Sequence, residues 1–381
     1  MSKVLRPVWA EVDLSAVREN IGAIRGLLEP DTLIMAVVKA DAYGHGAVPV
    51  AGAALAAGAE RLGVALVEEA VELRAAGLDV PIHLLSEPPA EAAETVVDLD
   101  LIPTVYTEVG LGALNAAAGA RGRELAVHIK VDTGMHRVGA APTQALELAQ
   151  AVRDLKGLRL EGMMTHLACA DETGDDYTNK QLETFERLRP DLPEVGLWHA
   201  ANSAGALFWP RARLNMVRIG IAMYGLQPSK EPSPVRLAPA LSLKTGIAFV
   251  YELAAGEGVS YGLTYRASEP QTVAVLPIGY GDGFSRRLSN RGEVLMDGRR
   301  ARLIGNVCMD QCLIRVDGPA AAGDEVVLIG RQGEDEVTVE ELADIIGTIN
   351  YEVVCMLNSR VPRRYVCSTA ANIDGNGGVR V

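Results

Sequence analysis

The stretch Leu33–Leu66, LIMAVVKADAYGHGAVPVAGAALAAGAERLGVAL, contains one complete strand–helix–strand unit. Leu33–Lys39 is an apolar run of strand length, and Leu62–Leu66 is another. Between them, Val48–Ala57 has the composition of a helix and carries Pro49 in its first turn, where proline is tolerated. A strand, a helix and a second strand in this order predict two parallel strands joined by a crossover helix.

The same alternation continues through the first two thirds of the chain. Strands are predicted at Leu33–Lys39, Leu62–Leu66, Ile82–Leu85, Leu101–Val105, Leu125–Val131, Leu160–Thr165, Leu197–Ala201 and Met216–Ile221. Helices are predicted at Ser15–Leu28, Val48–Ala57, Glu68–Ala76, Ala90–Val97, Val109–Ala117, Thr143–Leu155 and Asp176–Leu188. Repeated units of this kind favour an α/β fold with a closed (β/α)8 TIM barrel. A doubly wound open sheet is the alternative, but no GxGxxG turn follows the first strand.

The composition changes at Gln227–Pro239, which contains four prolines and is interpreted as a linker. After it come short, turn-bounded runs, with little helical periodicity before Val339–Ile346. The predicted strands are Thr272–Leu276, Glu293–Met296, Ala301–Ile304, Cys312–Val316 and Glu325–Ile329. We therefore expect a barrel domain at residues 1–235, a mainly β domain at residues 236–381 and a loose tail from Ser368. The first few residues are a candidate partner for the strands of the second domain.

The bulk properties narrow the class of protein. The 381-residue chain has a formal net charge of −13, with 49% apolar and 22% charged residues. This balance supports a substantial core and argues against nucleic-acid or anionic-membrane partners, which need a basic face. The sequence contains no apolar run near the roughly 20 residues of a membrane span, and Met1–Val12 lacks the apolar segment of a signal peptide. The five cysteines form no zinc-type pair, so we expect no metal and a cytoplasmic location.

Charged side chains occur near the ends of predicted barrel strands, where enzymes of this fold place their active sites. Alternation in Leu125–Asp132 puts Lys130 opposite the apolar face, although a misjudged register would leave it in solvent. Arg218 also points away from the apolar face of its strand, which predicts either an anion or ring nitrogen as ligand, or an ordinary salt bridge. Lys39 ends the first strand and is a candidate for covalent attachment to a carbonyl cofactor, although a lone lysine is more often a surface residue.

The segment AVVKADAYGHG at residues 36–46 resembles the lysine-bearing signature of alanine racemases. Other segments similar to motifs of this family follow in the expected order: HIKVDTGMHRVG at 128–139, TH at 165–166, HAANS at 199–203, VRIGIAMYG at 217–225, VSYG at 259–262, IGYGDG at 278–283, VCMDQ at 307–311 and INYE at 349–352. The resemblance extends from about Pro7 to about Pro362. Together these motifs are highly specific, whereas the lysine motif alone is not.

The resemblance implies an enzyme that uses pyridoxal 5'-phosphate to interconvert L-alanine and D-alanine, supplying D-alanine for peptidoglycan. It also implies a head-to-tail homodimer in which Lys39 of one subunit and Tyr261 of the other are catalytic. The implied cofactor contacts are Lys39, Tyr43, His166, Ser203, Arg218, Gly220, Ile221 and Tyr351. The implied substrate contacts are Arg137 and Met309. A carbamylated Lys130 would pair with Arg137, His199 would support Arg218, and Tyr280 and Asp310 are further supporting residues. Tyr280, Arg286 and Tyr351 would narrow the entrance, with ordinary surface and packing roles as the alternative.

Three rival functions remain. A racemase of another small amino acid, such as serine, would use the same machinery with a different pocket. A decarboxylase would favour an acidic residue where Arg218 stands, and a non-enzymatic cofactor-binding barrel would lack the second domain. Two residues depart from the family pattern: Asn306 stands where many relatives carry arginine, and Gly281 replaces a frequent alanine. We expect the first departure to make the entrance of the site less cationic.

Overall fold

A parallel sheet of eight strands forms the first domain of the computed structural model, which describes residues 5–367. After the first strand of the chain, β1 (Val8–Asp13), come β2 (Leu33–Val37), β3 (Arg61–Val64), β4 (Ile82–Leu84), β5 (Ile102–Val105), β6 (Leu125–Lys130), β7 (Leu158–Met164), β8 (Leu197–His199) and β9 (Met216–Ile219). Neighbouring strands pair in sequence order, and β9 pairs with β2. Asn215 donates a backbone hydrogen bond to Trp198 (3.1 Å), which brings β9 against β8 and nearly closes the barrel. The predicted barrel is confirmed.

Most helices of the first domain cover the outside of the barrel, and two short ones lie at the carboxyl end of its strands. They are α1 (Leu14–Arg25), α2 (Lys39–Gly44), α3 (Ala47–Ala56), α4 (Val67–Ala75), α5 (Ala93–Asp98), α6 (Glu108–Ala120), α7 (Pro142–Asp154), α8 (Tyr177–Glu186) and α9 (Ser203–Phe208). Asp13 caps α1 by accepting a hydrogen bond from the backbone of Ser15 (2.8 Å). The helix predicted at Ala90–Val97 begins as a 3₁₀ turn, and α2 and α9 were not predicted. Both missed elements are too short for a periodic pattern.

The segment after β2 has an uncommon backbone. Ala40, Asp41, Ala42 and Tyr43 have φ values between 51° and 53°, so α2 is a left-handed turn. Such a conformation costs roughly 1–2 kcal/mol for each non-glycine residue, and its surroundings must hold it in place. Ala40 N donates to Glu69 (2.6 Å), and the carboxylate of Asp41 accepts from the backbone at the start of α3 (2.8 Å). The turn therefore fixes the course of the backbone immediately after Lys39.

The second domain is mainly β. Its strands are β10 (Leu241–Gly246), β11 (Phe249–Leu253), β12 (Gly258–Val259), β13 (Tyr265–Arg266), β14 (Gln271–Leu276), β15 (Glu293–Met296), β16 (Arg299–Ile304), β17 (Cys312–Val316), β18 (Glu325–Gln332), β19 (Asp335–Val337) and β20 (Arg363–Val366). Its helices are α10 (Val339–Ile346) and α11 (Asn350–Cys355). The five predicted strands and the predicted helix are present. The prediction did not include β10 and β11, which lie just after the proline-rich linker, nor β12, β13, β19, β20 or the helix α11.

Contacts between the domains reach the lysine segment. Strand β1 pairs antiparallel with β10 and parallel with β20, so the start of the chain belongs to the second sheet. Arg363 on β20 donates to the carbonyl of Gly44 (2.9 Å). Gly44 has φ +79°, and a Cβ there would lie 2.4 Å from the carbonyl oxygen of Val354. One buried apolar core continues from the barrel into this sheet. We propose residue 235 as the domain boundary; the predicted tail from Ser368 lies outside the described residues.

Candidate active site

A cavity of about 510 Å³ opens at the carboxyl end of the barrel strands. Its lining contains ten of the residues implied by the resemblance: Lys39, Tyr43, Lys130, Arg137, His166, Ser203, Arg218, Gly220, Ile221 and Tyr351. Val37, Ala65, Leu85, Ser86, Val138, Met164 and Asn202 complete the lining. The two domains thus bring together groups that are up to 312 positions apart in the sequence, from Lys39 to Tyr351.

The cavity is strongly cationic although the chain as a whole is acidic. Lys39, Lys130, Arg137 and Arg218 line it, and none of its described lining residues is Asp or Glu. Lys130 is only 4% exposed, so its side chain lies inside the barrel and not in solvent. Burial, together with Arg218 and Arg137, lowers the pKa of Lys130 to about 8. Burial and Arg137 also lower the pKa of Lys39. Such a cavity fits an anionic ligand.

Arg218 lines the floor of the cavity, and its two terminal guanidinium nitrogens are hydrogen-bonded to neighbouring groups. It donates to the carbonyls of Thr165 (2.8 Å), Ala200 (2.9 Å) and His199 (3.1 Å). It also contacts the Nδ1 atoms of His199 (3.0 Å) and His166 (3.1 Å). None of these five partners is a carboxylate, so the predicted alternative of an ordinary salt bridge does not describe them. Burial lowers the pKa of Arg218 to about 9, which leaves the guanidinium charged at neutral pH.

A chain of buried side chains runs from Arg218 through the barrel interior. His199 contacts Nδ1 of His128 through Nε2 (2.8 Å), and His128 contacts Glu161 through its own Nε2 (2.9 Å). Arg61 forms an ion pair with Glu161 (2.8 Å) at the far end. Burial and the charge of Arg218 lower the pKa of His199, and burial lowers that of His128, so both rings are neutral near pH 7.

His83, His128 and Glu161 also have the spacing of a metal site, since their ligand atoms lie within 4.8 Å of one another. Those atoms are already occupied. Nε2 of His83 lies 3.0 Å from Arg61, and Nε2 of His128 donates to Glu161. The guanidinium of Arg61 supplies the positive charge that a metal ion would otherwise bring. We therefore interpret the group as a hydrogen-bonded network.

The opposite side of the cavity carries hydroxyl groups. Ser203 accepts hydrogen bonds from the backbone of Gly220 (3.0 Å) and Ala222 (3.3 Å), which links the start of α9 to the end of β9. A Cβ on Gly220 would lie 2.7 Å from the hydroxyl of Tyr43, so glycine is needed for this close approach. The rings of Tyr43 and Tyr351 are 6.1 Å apart. Burial raises the pKa of both tyrosines, which keeps their hydroxyls as hydrogen-bond donors.

Five implied residues of the second domain lie outside this cavity: Tyr261, Tyr280, Arg286, Met309 and Asp310. Tyr261, Met309 and Tyr280 are 74%, 53% and 42% exposed, respectively. The Asp310 side chain is 60% exposed and is bound by Arg360 (2.6 Å). Within one chain, the structure therefore does not bring Tyr261 into the lining that contains Lys39.

Sequence reasoning missed Glu161, His83, Arg61 and Glu69, none of which lines the cavity. Glu69 accepts from the backbone of Ala40, and the other three belong to the buried hydrogen-bonded network. Glu161 carried a detectable signal, because a glutamate beside a glycine interrupts the apolar strand β7. A Cβ on Gly162 would lie 2.6 Å from the ring of His128, so this glycine makes room for the imidazole.

A (β/α)8 barrel with a cationic cavity at its carboxyl end, joined to a second β domain, defines a two-domain barrel enzyme. The family described as "Alanine racemase, N-terminal domain" matches residues 12–228, and "Alanine racemase, C-terminal domain" matches residues 240–365. The chain belongs to the alanine racemase family.

Individual relatives agree with this assignment. The chain is 49% identical to the alanine racemase of Symbiobacterium thermophilum over 374 residues, 96% of this chain and 99% of that protein. The crystal structure of alanine racemase from E. faecalis has a TM-score of 0.91 and 39% identity, covering 96% of this chain and 99% of that one. The histidine racemase of Leuconostoc mesenteroides is more distant, with 32% identity, a TM-score of 0.90, and coverage of 95% of this chain and 99% of that one. Within residues 5–367, the structure contains no helix whose length and hydropathy suit a membrane span.

Proposed function

We propose that this protein interconverts L-alanine and D-alanine with pyridoxal 5'-phosphate as cofactor. The observation that carries the proposal is the cavity itself, which combines Lys39 with three further cations and no lining carboxylate among the described residues. A phosphate, a phenolic oxygen and a substrate carboxylate are all anionic groups that such a cavity would bind. When bound, the cofactor supplies a conjugated ring that stabilises negative charge at the substrate Cα.

The residues of the cavity fit this cofactor. Lys39 would attach it covalently, and lowering of the Lys39 pKa favours the neutral amine that attachment requires. The hydroxyls of Tyr43, Ser203 and Tyr351, with the backbone at Gly220 and Ile221, would hold the phosphate.

Arg218 and His166 would contact the cofactor ring. Because Arg218 is already charged and donates only, it would leave the ring nitrogen unprotonated. That arrangement disfavours a decarboxylase, which benefits from an acidic partner at this position.

Racemisation requires proton transfer on both faces of the substrate Cα. Lys39 would accept or return the proton on the D-alanine face. Tyr261 of a partner subunit would do so on the L-alanine face, since Tyr261 of the same chain is exposed outside the cavity lining. The exposed cluster of Tyr261, Tyr280 and Met309 supports a homodimer with shared sites. A non-enzymatic cofactor-binding barrel would have no use for this surface.

The substrate carboxylate would lie between Arg137 and the backbone of the partner's Met309, with Asp310 and Tyr280 supporting that segment. Lys130 would be carbamylated: its neutral amine adds to carbon dioxide, a C–N bond forms, and one proton leaves to solvent. The product is an anion that can pair with Arg137. Partial neutrality of Lys130, with its pKa lowered to about 8, supports this step.

Serine is the strongest rival substrate, and the L. mesenteroides relative adds histidine to the candidates. Purified protein with cofactor should be given L-alanine, L-serine and L-histidine separately, and both enantiomers measured by chiral chromatography. The proposal predicts that alanine is converted with the highest kcat/KM. Faster conversion of serine or histidine would reject alanine as the preferred substrate.

We further propose that the product D-alanine is used for peptidoglycan and that the protein acts in the cytoplasm. All five cysteines are free, which suits a reducing compartment.

A further inference from the structure

Tyr261 lies in a turn with an unfavourable backbone. Ser260 and Leu263 have φ values of 62° and 46°, and Gly262, which lies between Tyr261 and Leu263, has φ 75°. Non-glycine residues with positive φ persist only when surrounding structure holds them. The turn itself contributes one backbone hydrogen bond, from Leu263 N to Ser260 O (3.2 Å). Its position must therefore depend on groups from elsewhere in the chain.

Asn306 supplies such a group. Its side-chain nitrogen donates to the carbonyl of Tyr261 (2.6 Å), and the Ser260 hydroxyl donates back to the carbonyl of Asn306 (2.6 Å). The orientation of the amide follows from its partner, because a backbone carbonyl can only accept. Two segments 45 residues apart are thus joined by a reciprocal pair of hydrogen bonds.

The neighbouring residues allow this close approach. Gly305 has φ +69°, and a Cβ there would lie 2.9 Å from Cβ of Ser260. Asn290 accepts from the backbone of Gly305 (2.7 Å) and donates to the hydroxyl of Thr264 (3.0 Å). The turn at residues 260–264 is therefore held at both ends, by Asn306 at Ser260 and Tyr261 and by Asn290 at Thr264.

We propose that Asn306 is a positioning residue that holds Tyr261 in the orientation needed for proton transfer in the partner's site. This inference rests on the proposed function, which gives Tyr261 its role. Because the side-chain amide of Asn306 donates to the turn, we expect Asn306 to affect the position of Tyr261 in addition to making the entrance of the site less cationic.

Two variants isolate the hydrogen bond. Asn306→Ala removes the side-chain amide, and Asn306→Asp keeps its shape but places an acceptor against the Tyr261 carbonyl. The matched control is Asn115→Ala, which removes a comparable side-chain hydrogen bond to the backbone of Gly157 (3.0 Å), next to the start of β7 and away from the cavity lining. Each variant should be studied both as cofactor-free protein and as complete enzyme.

The first measurement is amide hydrogen exchange of the cofactor-free protein, followed by mass spectrometry of the peptide containing residues 260–264. We expect about fivefold faster exchange at Leu263 in both Asn306 variants, the effect of losing one hydrogen bond, and no change there in the control. Unchanged exchange in both variants would overturn the inference, whether or not the protein racemises alanine.

The second measurement separates kcat from KM for alanine. We expect kcat to fall at least about tenfold with KM within about twofold, since misplacing Tyr261 affects proton transfer more than binding. Exchange of the D-alanine α-proton without inversion, which needs only Lys39, should be retained. Faster amide exchange with unchanged kcat would reject the positioning role. A wild-type protein that is inactive on alanine would reject the proposed function. The hydrogen bond from Asn306 to the Tyr261 turn would still be supported by the exchange data.

Discussion

Nδ1 of His199 lies 3.0 Å from a guanidinium nitrogen of Arg218. Arginine can only donate, so this nitrogen of His199 must accept, and the ring proton must lie on Nε2. That proton points to Nδ1 of His128, which leaves the His128 proton on Nε2, directed at Glu161. Two neutral imidazoles with defined tautomers therefore connect a buried cation to a carboxylate.

Replacing the cation at the head of this chain should change reaction specificity. We expect Arg218→Glu to slow alanine racemisation by about a hundredfold, because the ring nitrogen would gain a proton and negative charge would move away from Cα. Transamination of alanine to pyruvate should rise in the same variant. Arg218→Lys, which keeps the charge, is the control. Equal transamination rates in wild type and Arg218→Glu would refute the role given to Arg218.

Glu161 should contribute to stability in a pH-dependent way. Burial alone would raise its pKa, but hydrogen bonds from His128 and Arg61 outweigh burial and hold the pKa well below its usual range. A depressed pKa in the folded state stabilises the protein above the unfolded-state value of about 4.3, and this contribution is lost as the pH falls further.

Glu161→Gln should therefore lower the free energy of unfolding by about 3 kcal/mol at pH 7, with a smaller difference from wild type below pH about 4. Urea unfolding at several pH values measures both quantities. Glu194→Gln removes an exposed ion pair with Arg153 and should cost about 0.5 kcal/mol or less. Equal losses in the two variants would argue against a special role for Glu161.

Carbamylation of Lys130 can be observed directly. Carbon dioxide reacts with the neutral amine, and the pKa of Lys130 is lowered to about 8, so the modified fraction should increase as the pH rises through that value. Carbon-13 NMR of protein equilibrated with labelled bicarbonate should show one carbamate signal that is missing in Lys130→Ala. A signal of equal size in both proteins would place the modification elsewhere.

Substitution of Gly44, the last residue of the left-handed turn that begins at Lys39, should destabilise the protein. Gly44→Ala introduces a Cβ that would lie 2.4 Å from the Val354 carbonyl at φ +79°, and we expect it to lower the free energy of unfolding by about 2 kcal/mol or more. The control Gly52→Ala lies in α3 with open space around it and should raise stability by about 0.5–1 kcal/mol. Urea unfolding of both variants tests the comparison, and a neutral Gly44→Ala would show that the turn relaxes.

The barrel was predictable because its eight strands are apolar runs, and the first six of them are each followed by a helical pattern. The first few residues were named as a candidate partner for the second domain, but the bounds of β1 and its partners β10 and β20 were not predicted, because these strands lie more than 200 residues away and no local pattern shows such pairing. The left-handed turn at Ala40–Tyr43 was also missed, because its conformation is imposed by Glu69 and the second domain and not by local propensity.

The residues facing the cavity were identified from motifs, whereas those behind them were not. Arg218 and His199 lie in recognisable segments. Glu161 comes within hydrogen-bonding distance of His128 and Arg61 only in the folded barrel, and no local pattern in the sequence shows these contacts.

The central claim is proton transfer on both faces of alanine by Lys39 and Tyr261. The most direct test incubates the holoenzyme with L-alanine in deuterated water and follows both enantiomers and the α-proton by NMR, for wild type and for Tyr261→Phe. The account predicts D-alanine carrying deuterium at Cα in the wild type. In Tyr261→Phe, it predicts loss of racemisation with cofactor and alanine still bound. Near-normal racemisation by Tyr261→Phe would contradict the two-base assignment, and unchanged L-alanine in the wild type would contradict the alanine racemase activity itself.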